Sequence, residues 1–360
     1  LGCYGHPWMK TPCLDAFAGE GILYELCTTV APTTLTSHTS LFTGQYPHTH
    51  GVPRNGFRIS DDNRMLPEYL RDAGYFTAGF PSAVPLFGVF NFNQGFEYYD
   101  DAYATAEPNR ERRAKATTDT VLAFVDTLEI EKPLFLFVHY FDVHAPYAPP
   151  PPFDRMYGNR LPAAKRDRPR WPGEEFSPFR RQRHAAGARG AGRPPFSFDS
   201  FRRDGPTREI QYACEVSYVD KHIGRLLEGL KARGIRDAAV TVIVSDHGEN
   251  LLDHVPNFEH GRTLFASTTR IVCMFRLPQA RLGGTRVPGL ISSIDVLPTL
   301  LAQAGAPVPG DIAGHALFLD RPVEGPFREY VYSEATKPQE YERSDDAWFN
   351  LSKARAIRGN

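Results

Sequence analysis

Short apolar runs and amphipathic stretches take turns along this chain. Residues 134–139 (LFLFVH), 238–245 (AAVTVIVS) and 270–275 (RIVCMF) carry Val, Ile, Leu and Phe almost without interruption, the pattern of strands buried on both faces. Helical spacing predicts helices over 12–19, behind the cap candidate Thr11, and over 66–73, 110–128, 209–233 and 293–304. Strands alternating with helices imply an α/β fold with a large, mainly parallel central sheet flanked by helices. No internal repeat is present. One stretch departs from the alternation: residues 159–204 are rich in Arg, Pro and Gly and poor in aliphatic side chains. They predict a long insertion or loop, either a basic clamp for an anionic substrate or a solvated excursion.

At 360 residues and 41% hydrophobic content the chain can bury a large core. We expect a catalytic unit over 1–320, with 321–360 the start of a further segment. Its 41 basic and 42 acidic residues nearly cancel, so no whole-molecule field draws it to nucleic acid or an anionic membrane. Five cysteines without a CxxC pair indicate neither a disulfide scaffold nor a structural zinc module. No apolar run has the length of a membrane span. The start at Leu1-Gly2-Cys3-Tyr4-Gly5 reads as the tail of a loop after a strand, and the end at 353–360 as an approach to another, so a fragment cut at both ends is expected. Localisation is left open between cytoplasmic and periplasmic or secreted, and oligomeric state is not read from the sequence.

Two motifs bear chemistry. In 31–52 (APTTLTSHTSLFTGQYPHTHGV) small hydroxyl residues crowd the start of a helix that Gly44 ends, where free amides and the helix dipole favour an oxyanion; taken alone, such a start is more often a cap. In 245–249 (SDHGE), directly after an apolar run, Asp246 and His247 offer a hard oxygen and an imidazole to a divalent cation at the carboxyl end of a strand. An N-capping aspartate is the alternative there.

Taken together these motifs resemble the active-site signature of the sulfatases, in the alkaline phosphatase superfamily. Thr43-Gly44, Tyr46-Pro47 and His50-Gly51 match the end of that signature and set Thr34 at the nucleophile position. Threonine there, in place of a cysteine or serine that is oxidised to formylglycine, and His38 in place of the usual arginine, resemble the nucleotide pyrophosphatase and phosphodiesterase branch. The resemblance implies an alkaline-phosphatase-like sandwich, a substrate-binding role for His38 and Asn55, and metal ligation by Asp246, His247 and Thr34. It further implies His144, in the segment 139–147 (HYFDVHAPY), and His260, in 259–265 (EHGRTLF), as catalytic residues on the leaving-group side. A first strand with one or two metal-binding aspartates precedes the position of Leu1 in that family.

The expected cofactor is one divalent ion, calcium foremost, with zinc, manganese or magnesium as alternatives and no formylglycine. A second metal on Asp142, His144 and His260 is the less favoured arrangement. The expected partner is a small anionic ester, sulfate or phosphate or phosphonate, hydrolysed through a covalent Thr34 intermediate. The alternatives are phosphoryl transfer from Thr34 to an alcohol, and an inactive binding homologue.

Overall fold

The computed structural model describes residues 1–105, 111–129, 131–158, 198–251, 258–317, 319, 327–335 and 354–359. In chain order the principal elements begin with α1 (Pro12–Glu20), β1 (Ile22–Thr28), α2 (Thr34–Thr43), α3 (Pro47–His50), α4 (Leu66–Asp72), β2 (Phe76–Phe80), β3 (Tyr98–Tyr99), α5 (Ala114–Asp126) and β4 (Leu134–Val138). They continue with α6 (Phe198–Ala232), α7 (Ile235–Ala238), β5 (Thr241–Val244), β6 (Asn250–Leu251), β7 (Phe258–Glu259), α8 (Ala266–Thr269), β8 (Arg270–Ile271) and β9 (Cys273–Arg276). The last are β10 (Thr285–Ser292), α9 (Val296–Gln303), β11 (Tyr330–Ala335) and β12 (Ala354–Gly359).

The fold is α/β, but its strands are shared between sheets differently from the expected single parallel array. β3, β2 and β4 form a wholly parallel three-stranded sheet. The larger sheet runs β10-β1-β9-β5 and is parallel only between β1 and β10; β9 is antiparallel to both its neighbours. The run 270–275 is what turns the sheet around, because its two short strands return along β1 instead of crossing over beside it.

The continuous apolar runs are explained by burial on both sides. In β4, Leu134, Leu136 and Val138 pack against Val121 and Val125 of α5 and Leu226 of α6, while Phe135 and Phe137 face the main core. In β5, Val242 and Val244 face that same core and Ile243 meets Leu14 and Phe17 of α1. Alternate side chains of one strand thus serve two layers, and both must be apolar. Among the described residues β4 pairs only with β2 and β5 only with β9, and every residue of both strands is half-buried, so each presents an open edge. The two edges end at His139 and at Ser245-Asp246.

α6 starts at Phe198, ahead of the expected 209, so the end of the basic stretch is helical; residues 159–197 of that expectation lie outside the described residues. The predicted strand 238–245 is shorter, because 235–238 closes as a helical turn. Thr11 stands at the cap position of α1, but its hydroxyl accepts Gly2 N–H and donates to Asp15, fixing the first turn of the chain and leaving the helix uncapped by it. Near the other end β11 is tied to the site layer by Ser333 Oγ, which donates to Thr29 O, and by Glu334 N–H, which donates to Val30 O. Among the described residues no helix is long and apolar enough to cross a membrane.

Candidate active site

The site is assembled from the carboxyl ends of β1, β4 and β5. β1 leads through residues 29–33 into α2, whose first residue is Thr34, only 2% exposed. The Thr33 side chain makes no capping bond; instead Asn55 Oδ1 accepts Leu35 N–H at 2.8 Å. Asn55 is itself exposed, and with its oxygen committed to the helix its NH2 remains the face it can turn to a ligand. One turn along, Ser37 Oγ donates to Asp246 O at 2.7 Å and meets Thr29 Oγ1 at 2.9 Å. The nucleophile helix is thereby fastened to the turn after β5, a bond worth about 1 kcal/mol.

That turn needs its glycine. A Cβ on Gly248 would lie 2.1 Å from Ser267 O, and Gly248 N–H donates to Thr268 O, so only glycine lets the chain pass α8 this closely. Asp246 Oδ1 accepts His247 N–H at 2.9 Å, and Asp246 Oδ2 lies 3.3 Å from His247 Nε2 and 3.6 Å from His38 Nδ1. Burial alone would raise this carboxyl, but the imidazoles of His247, His38 and His139 and the His247 amide outweigh it and hold it at about 2. Asp246 is an anion at neutral pH.

Hydrogen bonds fix the ring tautomers. His38 Nδ1 lies 2.8 Å from Thr34 O, His144 Nδ1 2.8 Å from Ala145 O, and His247 Nδ1 2.8 Å from Gly248 O. A carbonyl only accepts, so each of these rings carries its proton on Nδ1 and keeps Nε2 for the cleft. His139 is reversed: its Nδ1 accepts Ser82 N–H at 3.2 Å, leaving Nε2 as a donor. Burial, helped by the nearby His38 ring, pushes His139 down to about 3; burial also lowers His247 and His144. Burial thus favours the neutral form in each of these three rings.

Five imidazoles fall in two contacting groups on either side of Asp246. His139 meets His38 edge-on at 5.2 Å between ring centroids, His247 stacks on His260 at 4.2 Å, and His260 meets His144 at 5.1 Å. Phe92 and Phe137 wall His38, and Phe141 stacks under His144 at 4.3 Å. Thr34, His38, Asn55, Asp246, His247, His144 and His260, expected from the sequence, therefore fall in one linked region. His139, named there only as the first residue of a segment, joins them as the residue after β4; a polar residue ending an apolar strand was the available signal.

The donor set suits a divalent cation in part. Asp246 Oδ2 and His247 Nε2 converge, one hard oxygen and one imidazole nitrogen. Among the described residues no group of three or more His, Cys, Asp or Glu is placed to hold a metal, so these two supply only part of a coordination shell. Asp142 stands apart from it. Its carboxylate faces Arg113 Nη1 at 3.5 Å, a guanidinium it shares with Glu215.

Comparison with known proteins gives the family and the fold. The sulfatase family profile matches residues 1–306. The chain is 24% identical over 388 residues to an N-acetylglucosamine-6-O-sulfatase of Bacteroides thetaiotaomicron, the match covering 88% of this chain and 67% of that protein. The fold superposes on the phosphonate monoester hydrolase of Agrobacterium radiobacter with a TM-score of 0.76 at 20% identity, covering 100% of this chain and 82% of the other. The corresponding enzyme from Silicibacter pomeroyi gives 0.74 at 22% identity, with 98% and 81% covered.

Proposed function

Since the chain belongs to the sulfatase family and is a hydrolase of ester bonds on an alkaline-phosphatase-like fold, we propose that it cleaves phosphate or phosphonate esters in preference to sulfate esters, through a covalent Thr34 intermediate. The observation that carries this reading is the placement of Thr34, buried at the amino end of α2 and fastened through Ser37 and His38 to the Asp246 turn.

Sulfatase-family members generally bind a divalent metal, and Asp246, His247 and the Thr34 hydroxyl are the groups that would hold it here. When bound, such an ion supplies a Lewis acid that favours the threonine alkoxide and the substrate's anionic oxygens. Calcium is our first choice for the oxygen-rich part of the set.

The chain's own residues account for the remaining steps. Thr34 Oγ1 loses its proton to water and bonds to phosphorus in line with the ester oxygen. The α2 amides and the Asn55 NH2 hold the equatorial oxygens. As the bond from phosphorus to the leaving oxygen breaks, that oxygen takes the Nε2 proton of His260 or His144, the ring entering the step doubly protonated and leaving it as the neutral Nδ1–H tautomer. Water then attacks phosphorus, returns a proton to the same ring, and displaces Thr34 Oγ1, which is reprotonated from solvent.

The choice of ester follows from the nucleophile. A formylglycine hydrate has a second hydroxyl on the carbon that bears the sulfate and can expel it by elimination. Threonine has none, so its intermediate clears only by attack at the central atom, which phosphorus permits readily. Aryl phosphodiesters, phosphonate monoesters and sulfate esters sharing one leaving group test this directly. A higher kcat/KM on the phosphorus esters is expected; a clear preference for sulfate would overturn the reading.

A further inference from the structure

The two rings on the leaving-group side differ in what supports them. His144 Nδ1 donates to a neutral carbonyl, that of Ala145, whereas His260 Nδ1 lies 3.2 Å from Glu249 Oε2. The chain brings this pair together by strand register. β6 and β7 pair antiparallel with Asn250 opposite Glu259 and Leu251 opposite Phe258, so one further step of the same ladder sets Glu249 opposite His260. The carboxylate is buried, its side chain 8% exposed, and the same Oε2 also accepts Tyr147 OH at 3.2 Å. Among the described residues Glu249 Oε1 has no hydrogen-bond partner. A carboxylate buried against few donors is costly, and the imidazole it faces is that of His260.

We infer that Glu249 is a positioning residue for the leaving-group acid: through Oε2 it fixes the Nδ1–H tautomer of His260 and aims Nε2 into the cleft between His247 and His144. This rests on the Thr34 reading above and deepens it by selecting His260 over His144 as the proton donor. With Nδ1–H held on an acceptor-only group, Nε2 is the position through which the ring exchanges its second proton: the doubly protonated ring gives its Nε2 proton to the departing oxygen and is left as the neutral Nδ1–H tautomer. The stack on His247 at 4.2 Å and the edge contact with His144 at 5.1 Å then fix the plane of the ring. Tyr147 OH donates to the same oxygen and holds the carboxylate in place.

The test is a leaving-group series on the full chain, comparing wild type with Glu249→Gln, Glu249→Ala and His260→Ala. Esters of 4-nitrophenol, which leave unaided, should lose less than about threefold in kcat, and esters of simple alcohols roughly 10²-fold. Glu249→Gln, whose amide oxygen still accepts Nδ1–H, should recover much of the loss in Glu249→Ala. A loss that is uniform across the series would make Glu249 a structural residue only and overturn the inference. Ring 15N NMR gives a second readout that needs no turnover: wild type and Glu249→Gln should show the Nδ1–H tautomer at His260, and Glu249→Ala a mixture with Nε2–H. An unchanged Nδ1–H tautomer in Glu249→Ala would also overturn it. Because the NMR arm does not involve Thr34, failure of the nucleophile assignment, seen as turnover retained by Thr34→Ala, is distinguishable from failure of the role given to Glu249.

Discussion

Two buried carboxylates in this molecule have been driven in opposite directions. Asp246 is held at about 2 because three imidazoles and a backbone amide outweigh its burial. Glu215, on α6 and 1% exposed, is pushed up to about 8, because burial dominates and its cation, Arg113, is half-exposed and shared with Asp142. Asp142 is itself raised to about 6 by burial, and both acids keep one oxygen without a hydrogen-bond partner. Burial therefore does not decide the charge of an acid here; the count and placement of donors around it do. The charge is kept where the cleft can use it and suppressed where a carboxyl only fills a gap between α5, α6 and the segment after β4.

Removing the charge that is kept should have the largest effect. Asp246→Ala is expected to lower kcat/KM about 10³-fold or more and to lose bound metal, measured by turnover and elemental analysis on the full-length protein. A full complement of metal in that variant would remove Asp246 from the ligand set. Loosening the same carboxylate without deleting it should cost less. Ser37→Ala breaks the 2.7 Å tie to Asp246 O and should lower kcat about fivefold, as expected for a bond of about 1 kcal/mol, while the melting temperature moves by only a few degrees. An unchanged kcat would show that the tie does not position the site.

Removing the charge that is suppressed should leave activity within about twofold and appear in stability instead. Glu215 keeps its proton to about pH 8 when folded and only to about 4.5 when unfolded. Between those values the folded state binds more protons, so stability falls as pH rises and levels off above about 8. Asp142 adds a fall of the same sign between 3.8 and about 6. Glu215→Gln, which copies the protonated form and can still accept Ala148 N–H through its amide oxygen, should flatten the decline. Thermal melts at pH 5 and pH 8 measure it. A wild type that gains stability over this range would contradict the assignment.

The parts of this architecture that depend on local composition were legible in the sequence. β4, β5 and the β8–β9 run announced themselves because both their faces are apolar, and α2 was marked by its hydroxyl-rich start and by Gly44, which adopts φ 67° at its C-cap. β10 was hidden by Pro288 and Gly289. The structure accommodates them because β10 is an edge strand and its register with β1 slips between Tyr24 and Leu26, where a bulge admits residues that a regular ladder refuses. β1, with Glu25 in its middle, lacked the continuous run. The antiparallel return of β9 could not be read, since strand direction is set by connections that the pattern of one strand does not contain. At the site, Thr34, Asp246 and His247 stood in motifs. His139, Ser37 and Glu249 lay within the same segments, but their roles were not legible, because each acts through a partner distant in the chain, as Ser37 does through Asp246 and Glu249 through His260.

The central claim is that Thr34 carries the substrate's acid group between the two displacements. The direct measurement is rapid quench of the full-length protein during turnover of an aryl phosphonate monoester, followed by peptide mass spectrometry. A phosphonylated peptide containing Thr34, formed and lost at rates matching kcat and absent from Thr34→Ala, is the predicted result. Turnover with no adduct, or an adduct on another residue, would contradict the account.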